Sequence, residues 1–223
     1  LYICCMSPFI SIIIPFYGTA DPVLLQRCLD SIRRQGMEEG SYEIIVVDDN
    51  GKGLGGARNQ GIRQATGTYL MFVDADDYLF PNLSYCFPYL LKYTPDVCSF
   101  QMCEVNRPGV IPQSFNYKWE VYESGAEYMS KNNFMGTAWR HFFSRSFLNI
   151  HGLAFAESCF HEDEDFVAKA YCLASTTLIT DYPVYAYFRS SSSIIHERAL
   201  QIRLKRLNDF RGMLYLSLIH ISE

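Results

Sequence analysis

Three acidic clusters contain the residues of this sequence that are best suited to chemistry. Residues 48–49 read Asp-Asp and residues 74–77 read Asp-Ala-Asp-Asp, each directly after an apolar run, while residues 162–165 (Glu-Asp-Glu-Asp) open a stretch with helical periodicity. Like charges held close together raise one another's pKa, so such clusters persist where something positive lies between them. Mg²⁺ and Mn²⁺ bind carboxylate oxygens and share their remaining positions with phosphate oxygens. The first two clusters therefore predict a site for a divalent cation and a diphosphate, although aspartates that cap the next helices are the simpler alternative.

The elements that must position these clusters alternate between strand and helix. Apolar, β-branched runs predict strands over residues 9–14, 43–47, 68–73, 96–102 and 184–188. Helical periodicity and capping residues predict helices over residues 22–35, 57–65, 82–93, 124–131, 162–174 and 197–217. This alternation predicts an α/β fold with a mostly parallel sheet flanked by helices. In such sheets the ligand site lies beyond the carboxyl ends of the strands, so Pro15, Asp48 and Asp74 should meet in one crevice.

The composition is that of one ordinary globular domain with a small extension. Of the 223 residues, 49% are hydrophobic, and the net charge of -5 argues against a nucleic-acid partner, because duplex binders carry a basic face. None of the eight cysteines forms a Cys-x-x-Cys pair, so we expect buried free thiols and no zinc site. No apolar run approaches the roughly 20 residues that span a bilayer, and residues 1–6 lack the basic flank of a signal peptide.

Four stretches of the sequence, taken in order, resemble glycosyltransferase family 2. They are residues 11–17 (Ser-Ile-Ile-Ile-Pro-Phe-Tyr), 45–49 (Ile-Val-Val-Asp-Asp), 53–61 (Gly-Leu-Gly-Gly-Ala-Arg-Asn-Gln-Gly) and 67–77 (Gly-Thr-Tyr-Leu-Met-Phe-Val-Asp-Ala-Asp-Asp). Further on, residues 161–166 are similar to the family's Glu-Asp catalytic motif, and residues 185–194 resemble a closing element of members that build cell-surface polysaccharide. Each motif alone is weak, but four in the right order are a strong signal. The resemblance implies a GT-A fold over residues 9–195 and a C-terminal helical extension over 196–223.

The resemblance implies an inverting enzyme that transfers a hexose-type sugar from a nucleotide diphosphate donor. The expected donor is a UDP-sugar, and the expected acceptor is a glycan or lipid-linked glycan in surface polysaccharide synthesis. A divalent cation, Mn²⁺ or Mg²⁺, is the implied cofactor. The implied donor-binding residues are Pro15, Tyr17, Asp48 and Asp49 at the base, Arg58 at the diphosphate, Asp74 at the ribose, and Asp76 at the metal with Asp74 beside it. The simplest alternatives are a turn aromatic for Tyr17 and a surface helix arginine for Arg58.

The catalytic residues implied by the resemblance lie in the third acidic cluster. Asp163, with Glu162 before it, is the expected general base, which takes the proton of the acceptor hydroxyl as that oxygen attacks the anomeric carbon. A single base on the face opposite the leaving group gives inversion. The alternative is an ordinary acidic first turn, which the helix dipole favours. Trp139 is expected either to form a platform for the acceptor or to lie in the core.

The sequence departs from the family pattern after its second matching stretch. Only four residues separate Asp49 from Leu54, where family members have a polar loop, a helix and an edge strand. The sheet should therefore lose an edge strand and expose its neighbour, and the base side of the donor pocket should be thinner. Gly18 also stands where the family usually has an asparagine.

Three other functions remain open from the sequence. Residues 51–56 contain Gly-x-Gly-x-x-Gly between a predicted strand and a helix, with an acidic residue 18 positions beyond Gly56, as in an NAD-binding oxidoreductase. Against that function, the acidic pair at 48–49 would lie beside the cofactor's pyrophosphate. A sugar-1-phosphate nucleotidyltransferase needs a glycine-rich loop with Arg and Lys after the first strand, where this chain reads Pro-Phe-Tyr-Gly-Thr. The third is a non-catalytic nucleotide-sugar-binding relative, against which the intact acidic clusters argue.

We expect the protein to act in the cytoplasm, peripherally at the inner face of the cell membrane. The basic residues of the last predicted helix either face anionic lipid or form a solvated helix face, which is the ordinary interpretation. These residues are Arg198, Arg203, Lys205, Arg206 and Arg211.

Overall fold

The computed structural model describes residues 7–16, 21–48, 51–106, 117–133, 135–189, 205 and 207–209. Its strands are β1 (Ile10–Phe16), β2 (Tyr42–Asp48), β3 (Tyr69–Phe72), β4 (Tyr78–Leu79), β5 (Val97–Val105), β6 (Trp119–Tyr122), β7 (His141–Ser144) and β8 (Thr177–Phe188). Its α-helices are α1 (Pro22–Arg33), α2 (Gly53–Gln64), α3 (Phe87–Tyr93), α4 (Gly125–Lys131), α5 (Arg145–Ile150) and α6 (Glu162–Leu173). Two 3₁₀ turns cover Leu83–Cys86 and Ala138–Arg140. Of the last predicted helix, only the helical residues 205 and 207–209 lie inside the described chain.

The strands form one sheet in the order β2-β1-β3-β7-β5-β8-β4, with β6 also paired to β8. The predicted α/β class with a helix-flanked sheet is confirmed, but the sheet is mixed. β1 runs parallel to β2 and β3, and β5 runs parallel to β8, whereas β7 is antiparallel to both β3 and β5. The short strand β7 was missed because four residues, His-Phe-Phe-Ser, are too few for a period to be read.

The core has two layers, one on each face of the sheet. Side chains alternate along β1, so Ile12 and Ile14 lie in the layer that α1 and α3 cover, and Ile13 lies in the layer that α2 and α6 cover. All three isoleucines are completely buried. Each contributes about 1.5–3 kcal/mol relative to an exposed side chain. Burial of β1 on both faces holds its carboxyl end rigidly beside that of β3.

Local capping explains where two predicted helices begin. Asp21 accepts a hydrogen bond from the backbone N–H of Val23 at 2.9 Å, and Ser124 accepts one from that of Glu127 at 3.0 Å. Within the described residues, no helix has the length and apolar character needed to cross a bilayer.

Candidate active site

The segment after β3 carries the second acidic cluster, and the last residue of this cluster, Asp77, anchors the segment through hydrogen bonds. The Asp77 carboxylate accepts hydrogen bonds from the Tyr185 hydroxyl and from the backbone N–H of Phe188, both at 2.7 Å. The same Tyr185 hydroxyl accepts one from the backbone N–H of Asp74 at 3.0 Å. Burial first, and then the charges of Asp74 and Asp76, raise the pKa of Asp77 well above its usual range. Asp77 thus neither caps a helix nor faces the crevice, but joins the segment to β8.

Asp74 and Asp76 lie above this anchor and remain partly open to solvent. The Asp74 side chain is 26% exposed. Burial and the neighbouring charge of Asp74 raise the pKa of Asp76, and the nearby cation of Arg27 opposes them only in part. Two carboxylates that disfavour each other's ionisation make a place where a cation is stabilising.

Arg58 connects this segment to the third acidic cluster. Its Nη2 lies 3.1 Å from Asp74 Oδ1, and its Nη1 lies 2.8 Å from Glu162 Oε1. The guanidinium carbon lies 5.4 Å from the ring centroid of Phe155. Burial disfavours the charged guanidinium, but the carboxylates of Asp74, Glu162 and Asp163 outweigh burial and raise the pKa of Arg58.

The burial of Arg58 alters the role expected from the sequence. Its side chain is only 2% exposed and both of its terminal nitrogens are engaged by carboxylates, so it is not a surface arginine. It is equally unable, in this arrangement, to project into the crevice as an open cation for a diphosphate. Arg58 acts instead as a buried brace between the start of α6 and the end of β3.

Small residues on α2 allow Arg58 to reach this position. Gly61 lies against β1 so closely that an added Cβ would be 2.2 Å from Ile13 Cγ2. Gly55 lies against the loop before α6, where an added Cβ would be 2.1 Å from the carbonyl oxygen of Ala156. The helix therefore packs directly on the sheet, and Arg58 points along the interface toward the strand ends.

The first turn of α6 brings Asp163 beside the Arg58 brace. Burial, together with the charges of Glu162 and Glu164, raises the pKa of Asp163 to about 8 against the opposing charge of Arg58. A carboxylate with a pKa near neutrality is suited to accept a proton at physiological pH. Glu164 shares a side-chain hydrogen bond with Asp163, which contributes to the raised pKa of Asp163, and Glu164 also contacts His161 at 3.0 Å. Asp165 pairs with Lys169 at 2.7 Å.

The residues expected at the base of the donor are only partly described. Pro15 is buried in β1 and pairs in register with Val47, and Asp48 is exposed at the end of β2 opposite Phe16. Tyr17 and Asp49 lie outside the described residues. The carboxyl ends of β1, β2 and β3 are neighbours, as expected, so Pro15, Asp48 and Asp74 lie along one edge of the sheet.

Trp139 lies in the core and not on an open surface. It is 8% exposed, and its ring stacks on Tyr185 at 4.6 Å and on Tyr187 at 5.7 Å between centroids. This burial favours the core alternative over an acceptor platform. Trp139 instead supports Tyr185, whose hydroxyl links Asp74 and Asp77. Tyr185 was missed as a site residue, although its place in the closing element was the signal that could have identified it.

The glycine run at 51–56 is covered by the protein itself. The carbonyl oxygen of Ala156 occupies the space that a side chain on Gly55 would take, and the backbone N–H of Ser158 donates to the carbonyl oxygen of Lys52 at 2.8 Å. In a dinucleotide-binding fold these glycines leave room for the cofactor's pyrophosphate. Here that room is filled by the loop before α6, which counts against NAD binding.

The described acidic residues fit a divalent cation that is shared with a diphosphate. Across the described ranges, no group of three or more His, Cys, Asp or Glu side chains is placed to enclose a metal ion. Asp74 and Asp76 offer two carboxylates, and Mg²⁺ is typically held by one or two carboxylates together with substrate phosphates. The two carboxylates therefore match a cation that binds together with the nucleotide.

The shortened segment after residue 49 predicts that β2 lies at an edge of the sheet. In the described part of the sheet β2 lies at one edge, and Val46 on this strand is 44% exposed. An edge strand presents a row of backbone N–H and C=O groups that no further strand of the sheet pairs.

Comparison with known proteins identifies the family of the chain. The family model described as Glycosyl transferase family 2 matches residues 11–52 and 50–149, and the two matches meet at the shortened segment. Putative glycosyltransferase EpsH of Bacillus subtilis (strain 168) is 26% identical over 224 residues, which cover 85% of this chain and 63% of EpsH. Uncharacterized glycosyltransferase EpsJ of the same organism is 29% identical over 227 residues with the same coverages. The chain thus spans less than two thirds of the length of these relatives.

Solved structures show the same fold. Staphylococcus aureus TarS 1-349 in complex with UDP-GlcNAc superposes with a TM-score of 0.70 at 23% identity, over 86% of this chain and 61% of TarS. The mannosyltransferase PcManGT of Pyrobaculum calidifontis, in complex with GDP-Man and Mn²⁺, has a TM-score of 0.57 at 17% identity, over 96% of this chain and 65% of that one. The family model matches more than half of the chain and the solved structures share its fold, so the chain belongs to glycosyl transferase family 2, with a GT-A fold.

Proposed function

We propose that this protein transfers a sugar from a nucleotide diphosphate donor to an acceptor hydroxyl with inversion at the anomeric carbon. The observation that supports the proposal most directly is the buried Arg58 brace, which holds the Asp74 segment and the Asp163 turn on either side of one guanidinium. A donor site and a proton acceptor are thereby kept at a constant separation. Such positioning is what a transfer between two bound substrates requires.

The donor would lie across the carboxyl ends of β1, β2 and β3. In this proposal the base is bound near Pro15, Tyr17, Asp48 and Asp49, and the ribose lies near Asp74. UDP is the expected nucleotide, and the similarity to TarS, solved with UDP-GlcNAc, supports that choice. The thinner wall beside the exposed β2 makes the affinity for the base the property most sensitive to the shortened segment.

Asp76 and Asp74 would hold a divalent cation against the diphosphate. The similarity to PcManGT, solved with GDP-Man and Mn²⁺, supports Mn²⁺ or Mg²⁺ in this role. When bound, the cation would neutralise the negative charge of the leaving nucleoside diphosphate. The two carboxylates orient it, because Asp77 and Tyr185 fix their segment.

Asp163 would act as the general base, with Glu162 holding Arg58 beside it. The acceptor oxygen attacks the anomeric carbon as its proton passes to the Asp163 carboxylate. The bond from the anomeric carbon to the diphosphate oxygen breaks, and the electron pair leaves with the nucleoside diphosphate. Attack on the face opposite the leaving group inverts the configuration.

The acceptor class is proposed from the relatives. Poly(ribitol-phosphate) beta-glucosyltransferase of Bacillus spizizenii is 37% identical over 97 residues, which cover 31% of this chain. This similarity supports a glycan or lipid-linked glycan of the cell surface as the acceptor, and a cytoplasmic enzyme at the membrane face. Of the basic residues expected to face lipid, Lys205 is described, and it pairs with Asp209 at 3.1 Å.

Calorimetric titration of UDP, with and without Mn²⁺, tests the donor site. UDP should bind only in the presence of Mn²⁺, and Asp76→Ala should abolish that binding because it removes a metal carboxylate. Asp30→Ala is the matched control, since the contacts of the Asp30 carboxylate with Gln26, Arg33 and Arg34 lie on the surface of α1 and at its end. Unchanged UDP affinity in Asp76→Ala would remove this residue from the site, and metal-independent NAD binding would overturn the proposed function.

A further inference from the structure

Helix α1 is fastened to the segment that carries Asp76 by three side chains at helical spacing. Arg27, Ser31 and Gln35 lie four residues apart, so they project from one side of the helix and its end. Each bonds to the backbone of residues 76–83. The contacts are Arg27 Nη2 donating to the carbonyl oxygen of Asp76, Ser31 Oγ accepting from Leu79 N at 3.0 Å, Gln35 Nε2 donating to the carbonyl oxygen of Phe80 at 2.9 Å, and Gln35 Oε1 accepting from Leu83 N at 2.8 Å.

Arg27 is the one of these three that reaches the acidic pair, and it is tightly enclosed. Its guanidinium carbon lies 4.0 Å from the ring centroid of Phe188 and 5.2 Å from that of Tyr78. Among the described residues, none accepts a hydrogen bond from its buried Nε. Burying a donor without an acceptor is unfavourable. A side chain that bears this cost and is held by two rings and a hydrogen bond has a defined place beside Asp76.

The position of Arg27 complements that of Arg58. Arg58 bonds to the carboxylate of Asp74, whereas Arg27 bonds to the backbone of Asp76. Phe188, which lies against Arg27, also donates its backbone N–H to Asp77. The segment from Asp74 to Asp77 is therefore held by three elements: α2 contacts Asp74, α1 contacts Asp76, and β8 contacts both Asp74 and Asp77.

We propose that Arg27 is a positioning residue, which fixes the backbone at Asp76 so that this carboxylate is set for the cation that binds with the donor. The inference rests on the proposed function of the Asp74 and Asp76 site. Residues that orient metal ligands act through hydrogen bonds of this kind, and their loss typically costs about 10- to 100-fold in metal affinity. Ser31 and Gln35 fasten the same segment farther from the acidic pair, so they contribute to folding and not to the setting of Asp76.

Titration of Mn²⁺ in the presence of saturating UDP tests the inference. Arg27→Met should weaken Mn²⁺ binding by about 10- to 100-fold. Arg27→Lys should recover part of the loss, because its ammonium can reach the carbonyl but cannot lie flat between two rings. Arg33→Met removes an exposed arginine of the same helix and should leave Mn²⁺ affinity unchanged. Ser31→Ala should lower the unfolding midpoint without weakening Mn²⁺ binding.

Two results would overturn the inference. The first is wild-type Mn²⁺ affinity in Arg27→Met. The second is an equal loss of Mn²⁺ affinity in Ser31→Ala, which would mean that any loosening of the segment weakens Mn²⁺ binding. If Arg27→Met does not fold, Phe188→Leu removes the nearer ring and leaves the hydrogen bond, and it should weaken Mn²⁺ binding in the same direction. No weakening in Phe188→Leu would count against the inference.

Amide exchange separates this inference from the proposed function. The N–H of Asp77 bonds to the carbonyl oxygen of Asp74 at 3.0 Å, and it should exchange faster in Arg27→Met than in the wild type. If the wild type binds no UDP with Mn²⁺, the proposed function fails, and this exchange rate still decides the anchoring. Equal exchange rates in the two proteins would show that Arg27 does not hold the segment.

Discussion

At the scale of single residues, Asp163 combines a raised pKa with a place beside the Arg58 brace. A general base works only in its deprotonated form, so kcat/KM should rise as the pH increases through about 8 and then level off. Asp163→Asn should remove this pH dependence and lower kcat by about 10²- to 10⁴-fold. Initial-rate measurements over a range of pH, with UDP affinity measured in parallel, provide the test.

A neighbouring acid supplies the control for Asp163. Asp165 lies in the same turn of α6 but pairs with Lys169, so Asp165→Asn should keep the pH profile of the wild type. If Asp163→Asn retains turnover, Asp163 is not the base. If it loses UDP affinity as well as turnover, the residue belongs to the donor site instead.

Arg58 gives a prediction for stability. Arg58→Met would leave the carboxylates of Asp74 and Glu162 near each other without a cation, and breaking a buried pair typically costs about 3–5 kcal/mol. Burial raises the pKa of Glu162 and the charge of Arg58 opposes it, so without Arg58 this pKa rises further in the folded state. Part of the missing stability therefore returns as the pH falls and Glu162 is protonated. Urea unfolding should therefore show a larger loss near about pH 8 than near about pH 5.

Arg63→Met is the matched control for this prediction, because Arg63 is exposed on the same helix. It should change the free energy of unfolding by no more than about 0.5 kcal/mol. A loss in Arg58→Met that is equal at both pH values would mean that packing, and not charge, is what the arginine supplies.

At the scale of elements, the close approach of α2 to β1 is what carries Arg58 to the strand ends. Gly61→Ala would place a Cβ 2.2 Å from Ile13 Cγ2, and Ile13 is completely buried. A helical Gly→Ala change gains about 1 kcal/mol in propensity, but overpacking costs about 1–3 kcal/mol. We expect a net loss of stability by urea unfolding.

A double-mutant cycle distinguishes steric crowding from other causes. In an Ile13→Ala background the space beside Gly61 is open, so Gly61→Ala should be neutral or stabilising there. Gln64→Ala, at an exposed position of α2, should not depend on residue 13. An equal effect of Gly61→Ala in both backgrounds would show that the helix does not rest on β1 at this point.

At the scale of the whole molecule, the sheet gathers elements that are far apart in the chain. Arg58 and Glu162 are separated by 104 positions, and Asp77 and Tyr185 by 108. These long-range contacts converge at one edge, where the carboxyl ends of β1, β2 and β3 lie together. At the other side of β1, β2 is the last strand of the described sheet, and its Val46 side chain is exposed.

The sequence by itself determined the α/β class, the main strands and helices, and the family. Each of these depends on local signals: the apolar run of β1, the cap at Asp21, and motifs in a characteristic order. It also placed the acidic clusters at strand and helix ends. The antiparallel β7 and the short β4 and β6 carried no such signal, because two to four residues are too few for a period to be read.

Only the tertiary structure decided what the individual site residues contact. Arg58 was expected at the diphosphate and is a buried brace. Trp139 was expected either as an acceptor platform or in the core, and it lies in the core. Arg27 carried no motif, and the closing element that contains Tyr185 did not show that its hydroxyl links Asp74 and Asp77. The physical reason is the same in each case. Whether a polar side chain faces solvent or a buried carboxylate depends on residues distant in the chain, and burial sets both the cost of its charge and the partner it must have.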